Sequence, residues 1–202
     1  MDVDLDTIRR KLSRHEARRQ NLQEIQRRAA VAAILRPVPG DTEVLLIRRA
    51  ERKGDPWSGH MAFPGGHFEA IDADLRATAL RETLEEVGLD LRQHDYLGEL
   101  DEFQAIARGR FVGMVIAPYV FALRGDAVFK PNYEVAELVW GRLGEMMRGE
   151  VDTIKELDYD GELRKMPAFR VQNHVVWGMT HAMLRSLFGV LTDSPQAFGP
   201  AS

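Results

Sequence analysis

Three carboxylates stand at spacings of three and four in the run Arg81-Glu82-Thr83-Leu84-Glu85-Glu86-Val87, which reads as the end of a helix starting near Leu75. At about 100° per residue, Leu80, Leu84 and Val87 fall on one side and Glu82, Glu85 and Glu86 on the other. An oily back and a carboxylate front are therefore expected. Like charges at these spacings repel by a few tenths of a kcal/mol per pair, and a divalent cation would remove that cost. Magnesium takes hard oxygen ligands from a few carboxylates and leaves its other octahedral positions to water and substrate phosphates. The competing reading is a solvated acidic face with Arg76 and Arg81 as its counter-ions.

The residues upstream favour the metal. Phe63-Pro64-Gly65-Gly66 forms a turn whose glycines let backbone groups approach a ligand closely, and the loop that follows carries two more acids, Glu69 and Asp72. Asp72 or Asp74 can cap the acidic helix, and Gly88 stands where a helix commonly stops in the left-handed conformation.

Strands must hold this helix in place. Residues 30–35 and 43–49 read as two strands about a turn at Pro37, Pro39 and Gly40. A loop follows over 54–66, with strand character around Met61 to Phe63. Further strands are expected over 96–106, 111–123, 135–140 and 163–171, and an apolar helix over 175–191. One helix among many strands indicates an α+β fold, a mixed α/β/α sandwich. Residues 4–28 read as one or two polar helices whose narrow stripe, Leu5, Ile8 and Leu12, packs weakly. Eight basic residues there (Arg9, Arg10, Lys11, Arg14, Arg18, Arg19, Arg27, Arg28) form either a solvated face or a basic patch for phosphates, and the solvated face is the expected reading.

The stretch GGHFEAIDADLRATALRETLEEVGL resembles the Nudix box: a Gly, five residues, a Glu, seven residues, then R-E-U-x-E-E-x-G-U with U aliphatic. Gly66, Arg81, Glu82, Glu85, Glu86, Gly88 and Leu89 match. Asp72 stands where the pattern has Glu, eight residues separate it from Arg81, and Thr83 replaces an aliphatic residue while still facing the core. The resemblance implies a Nudix fold with an N-terminal helical extension (1–28), a Nudix domain (29–195) and a C-terminal tail (196–202). It also implies a hydrolase using Mg²⁺ or Mn²⁺, with Glu82 and Glu86 as principal ligands and Glu85 as a further ligand or water-orienting acid. Arg81 would brace these carboxylates, and the Gly66 carbonyl can also reach the metal. The base would be Glu82 or Glu86, or a loop acid, Glu134 or Glu137.

The run LLIRRAERKGDPWSGHMAFPGG resembles the coenzyme A pyrophosphatase branch of that family in Leu45, Leu46, Arg49, Ala50, Gly59 and Phe63 to Gly66. The second Arg of that pattern is replaced by the Gly54-Asp55 region, so Arg52 or Lys53 could serve only by a shift. The implied substrate is a nucleoside-diphosphate derivative: coenzyme A or a related compound, or else a nucleotide sugar, dinucleotide or nucleoside triphosphate. Arg49, Arg52, Trp57, His60 and Phe63 are the candidate substrate contacts, although an aromatic in such a loop is as often a packing plug. His67 is expected behind the ligands or on the surface, since magnesium prefers oxygen. Trp140, Trp177 and Phe188 are expected in the core, with His174 and His181 as satisfied histidines. A rival of another class is a Nudix-like ligand-binding or regulatory module without turnover; the complete set of acids favours the enzyme.

Composition narrows the partners. The 27 Lys and Arg against 31 Asp and Glu give a formal charge of −4, too near neutral for a bulk nucleic-acid binder, so nucleic acid is not an expected partner. With no cysteine there are no disulfides, thiolate zinc sites or cysteine nucleophile. No apolar run approaches the roughly 18 residues that span a bilayer, and the chain opens on Asp2, Asp4 and Asp6, so a cytoplasmic protein with no membrane partner is expected. A homodimer is compatible with an N-terminal helix that lacks a deep apolar face.

Overall fold

The computed structural model describes residues 3–20, 25–54, 57–107, 110–159 and 161–194. In chain order these form α1 (Leu5–Leu12), β1 (Arg27–Val38), β2 (Asp41–Arg49), β3 (Met61–Ala62), β4 (Gly65–His67), α2 (Leu75–Val87), β5 (Asp95–Glu99), β6 (Phe103–Ala107), β7 (Arg110–Ala122), β8 (Val135–Arg142), α3 (Leu143–Met147), β9 (Asp152–Tyr159), β10 (Glu162–Val171), β11 (His174–Trp177) and α4 (Gly178–Leu191). Asp55 and the tail 196–202 lie outside the described residues.

A mixed sheet runs β3-β2-β1-β7-β5, with β4 added to β1, β6 to β7 and β8 to β2. β1 and β7 are parallel, Arg27 opposite Met114 through Leu35 opposite Ala122. A parallel pair needs a crossover connection, and α2 lies within it. β1 is buried on both faces, as an apolar strand inside a sandwich must be. Ala33 and Leu35 join a core cluster with residues of α1 and α4 and with Phe169, Val171 and Val176. Ala30, Ala32 and Ile34 join a second cluster with Ala79 and Val87 of α2. The antiparallel sheet β11-β10-β9 is hydrogen-bonded separately from the mixed sheet and packs on it through Phe169, Val171 and Val176.

Several sequence expectations need correction. Among the described residues of 4–28, helix is confined to α1, and Arg27 and Arg28 already pair in β1, so the expected one or two helices over that range are not found there. Nor does α1 pack weakly, since Val3, Ile8 and Leu12 are 2%, 0% and 3% exposed within the main core. The charges on α1 and on the segment after it conceal this because several meet an acid distant in sequence: Arg9 with Asp95 at 2.9 Å and Lys11 with Asp193 on the helix, and Arg18 with Asp101 at 2.9 Å and Arg19 with Glu99 at 2.6 Å beyond it. The strand over 96–106 is two strands, and β9 was not anticipated. The expected helix over 175–191 begins only at Gly178, since Val175 and Val176 pair with Arg170 and Phe169 as part of β11.

Candidate active site

Helix α2 starts and stops on local signals. Asp74 is the cap, its Oδ1 accepting from Ala77 N at 2.7 Å. Gly88 closes the helix at φ 70°, where its N–H donates to Leu84 O at 3.0 Å. Asp72 turns instead to Arg81, whose Nε and Nη2 donate to the two carboxylate oxygens at 2.9 Å each. Thr78 Oγ1 and Glu69 N also donate to Asp72, at 2.9 and 3.0 Å. These donors hold its carboxyl well below the usual carboxylate range, the Arg81 guanidinium contributing most.

The expected oily back and acidic front are rotated from where hydropathy puts them. The buried face of α2 is Thr78, Ala79, Thr83, Glu86 and Val87, whereas Leu84 is 43% exposed. Small residues let the helix lie close to Ala30 and Ala32 of β1. Glu86, 3% exposed, enters this interface because the Gly65 N–H donates to its Oε2 at 2.9 Å. Burial pushes its carboxyl up to about 7, with the Gly65 bond and the Arg49 charge pulling the other way and Glu82 and Glu134 adding to the rise.

Glu82 lies one turn earlier against Gly66. A Cβ on Gly66 would sit 2.4 Å from the Glu82 carboxylate, so only glycine leaves that space. Burial raises the Glu82 carboxyl as well, opposed by Arg81 and reinforced by Glu85 and Glu69. Arg81 Nη1 donates to Glu82 Oε1 at 2.9 Å and to Glu85 Oε2 at 3.3 Å, and its Nη2 to the His67 carbonyl at 2.9 Å. Among the described residues no three His, Asp or Glu side chains converge as a cage for a cation. Glu85, its side chain 55% exposed on the helix flank, is drawn back to Arg81. Two carboxylates, Glu82 and Glu86, thus remain beside the Gly65-Gly66 backbone. That donor set suits one magnesium-like ion, which needs only one or two carboxylates when phosphates and water complete its shell. Gly66→Ala is expected to displace Glu82 and lower activity about 100-fold, as a shift near 1 Å can. Steady-state kinetics beside a melting curve checks this.

The remaining candidates divide. Arg49 reaches Glu86 electrostatically from the end of β2, where its N–H donates to His60 O at 3.0 Å. Of the two acids expected on a loop, Glu137 lies within β8, paired with Arg48, whereas Glu134 is on a loop and acts electrostatically on Glu86. Its loop is docked on the end of α2 through Lys130 N to Val87 O and Asn132 N to Glu86 O, 2.8 Å each, and its Oε1 meets Arg52 Nη2 at 3.0 Å. Glu137 is engaged elsewhere, by His174 at 3.0 Å and Arg48 at 3.6 Å. Arg52 lies over the Tyr133 ring, 5.0 Å from its centroid. Trp57 packs on Ala29, Ala105 and Met114, and His60 meets the Trp177 ring edge-on at 4.8 Å. Phe63, expected among the substrate contacts, is 4% exposed and belongs to the main core cluster. Sequence reasoning missed the Asn132 and Lys130 contacts because backbone amides leave no trace in side-chain patterns.

The NUDIX domain family matches residues 26–158. An uncharacterized Nudix hydrolase of Cronobacter sakazakii is 30% identical over 199 residues, covering 96% of this chain and 97% of that protein. An uncharacterized protein of Schizosaccharomyces pombe is 37% identical over 133 residues, 64% of this chain, but the chain spans only 40% of that relative's length. A MutT/nudix family structure from Enterococcus faecalis superposes with a TM-score of 0.56 at 16% identity, over 95% of this chain and 70% of that one, and so supports the fold alone. With the box built on α2 and the glycine turn beside it, the chain belongs to the Nudix family and is a Nudix hydrolase.

Proposed function

We propose that the protein cuts the diphosphate linkage of a nucleoside-diphosphate derivative, with Glu82 and Glu86 holding a divalent cation beside Gly65 and Gly66. The observation that carries this reading is the pair of buried or half-buried carboxylates one helical turn apart, one filling the space that Gly66 leaves and the other on the Gly65 N–H. Nudix hydrolases generally use divalent metals such as Mg²⁺, and a bound ion supplies charge neutralisation of the diphosphate and a more acidic water. The chain's own groups do the rest. Arg81 fixes Glu82 and keeps Glu85 close enough to serve as a further ligand or water-orienting acid. The Gly66 carbonyl lies in the same turn. Glu134, electrostatically coupled to Glu86, is the loop acid best placed to accept a proton. Arg49 adds positive charge where the diphosphate oxygens would come.

The substrate proposed first is coenzyme A or a related compound; nucleotide sugars, dinucleotides and nucleoside triphosphates are the alternatives. A panel of coenzyme A, ADP-ribose, nucleotide sugars, dinucleoside polyphosphates and nucleoside triphosphates, assayed with magnesium, manganese or chelator, separates them. Metal-dependent release of two phosphate-bearing products from one member is the expected result. No cleavage of any member with either metal would sink the proposal in favour of a non-catalytic module.

A further inference from the structure

A surface cavity of about 550 Å³ opens where the start of β1 meets the end of β4, lined by Ile25, Gln26, Arg27, Arg28, His67 and Phe68. Strand register fixes its place relative to the proposed site. Ala30 lies opposite Gly66 and Ala29 opposite His67, and Phe68 N donates to Arg28 O at 2.9 Å. Arg27 is therefore three residues past the Gly66 position, about 10 Å along the sheet. Its guanidinium reaches farther still, to the Val112 carbonyl at 3.3 Å; Val112 precedes Met114, the residue paired with Arg27, by two positions. A diphosphate held at Gly66 and Glu82 would lie outside this cavity, at a separation that the rest of a nucleotide can span.

The lining has a particular chemistry. Arg9, Arg18, Arg19 and Arg28 each meet a carboxylate. Arg27, which is exposed, makes among the described residues only the hydrogen bond to the Val112 carbonyl. That bond engages one of the five N–H donors of a guanidinium. Arg28, its side chain 39% exposed and held through Nη1 by Glu102 at 3.0 Å, adds a second guanidinium beside the cavity. Phe68 presents a ring that is 42% exposed at the rim. A planar cationic fork binds phosphate oxygens in pairs, and an uncovered aromatic ring offers a base a surface to stack on. Both features together are the requirements of a nucleotide.

We infer that Arg27, with Arg28 beside it, binds a phosphomonoester on the ribose of the substrate, while Phe68 stacks on the base. The inference rests on the diphosphatase reading of the neighbouring site and narrows its substrates to nucleotides carrying a further phosphate.

Calorimetric titration of the full chain with adenosine 3′,5′-bisphosphate, its 2′,5′ isomer and adenosine 5′-monophosphate tests it without turnover. One bisphosphate is expected to bind at least tenfold more tightly than the monophosphate, and which isomer does so identifies the position of the phosphate. Arg27→Ala, with an unchanged melting temperature, should erase that preference, and Arg27→Lys should retain part of it. Phe68→Ala should weaken bisphosphate and monophosphate alike. Equal binding of all three nucleotides, no binding of any, or a preference surviving in Arg27→Ala would overturn the inference. Metal-dependent cleavage of ADP-ribose and coenzyme A in the same preparations separates the two readings: failure there sinks the proposed function, while the titration alone decides this subsite.

Discussion

Glu86→Gln is expected to lower kcat by at least about 100-fold, and by as much as about 10,000-fold if Glu86 also takes part in proton transfer, in a protein that stays folded. The loss follows from removing the only charge on the more buried of the two carboxylates that face the glycine turn. The fold survives because a glutamine carbonyl can still accept the Gly65 N–H that Glu86 accepts at 2.9 Å. The pH behaviour of the metal-free chain gives a second readout. Burial raises the folded carboxyl from an ordinary value near 4.5 to about 7. The folded state therefore binds this proton more tightly than the unfolded chain does. The resulting stabilisation is complete below about pH 4.5 and fades as pH rises toward 7. Denaturant unfolding in chelator should show this dependence in the parent and a weaker one in Glu86→Gln. Unchanged turnover in the variant would refute any role for the residue.

How far this could be read from sequence depends on the range of the interaction concerned. The ends of α2 were legible because capping is local: Asp74 and Gly88 act within a turn of their own positions. Its buried face was not legible. Hydropathy sorts Leu84 inward and Glu86 outward, but closeness of approach favours Ala79 and Thr83 at the sheet, and a backbone donor on another element then decides where Glu86 goes. The same limit hid the packing of α1 and the segment after it, where Arg9, Arg18 and Arg19 find their acids 80 or more residues away. Val175 and Val176 read as helix beside the apolar run that follows; pairing with β10 makes them strand. The acids were singled out by their spacing together with the glycine turn upstream and the resemblance to the Nudix box. That spacing could not show that Arg81, and not a third converging carboxylate, gathers Glu85. Nor could it show that the eight-residue interval still lets Asp72 meet Arg81 with both oxygens.

That last contact carries the second large effect, on stability as much as on rate. Arg81→Met should destabilise the protein by about 3–5 kcal/mol, the usual cost of leaving a buried charge without its partner, because the Asp72 side chain is only 3% exposed. Arg81→Lys should rescue little. A single ammonium cannot supply the paired bonds to Asp72, the bond to Glu82 and the bond to the His67 carbonyl, which the guanidinium makes together. Asp72→Asn combined with Arg81→Met removes both charges, so its loss in chemical denaturation should be clearly smaller than the sum of the single losses. Activity should not follow that recovery: with Arg81 gone, Glu82 and Glu85 lose their common tether whether or not Asp72 is neutral. If stability is regained and turnover is not, Arg81 has two separable duties, holding the loop on the helix through Asp72 and aiming the carboxylates through Glu82. Recovery of both together would assign it the first duty alone.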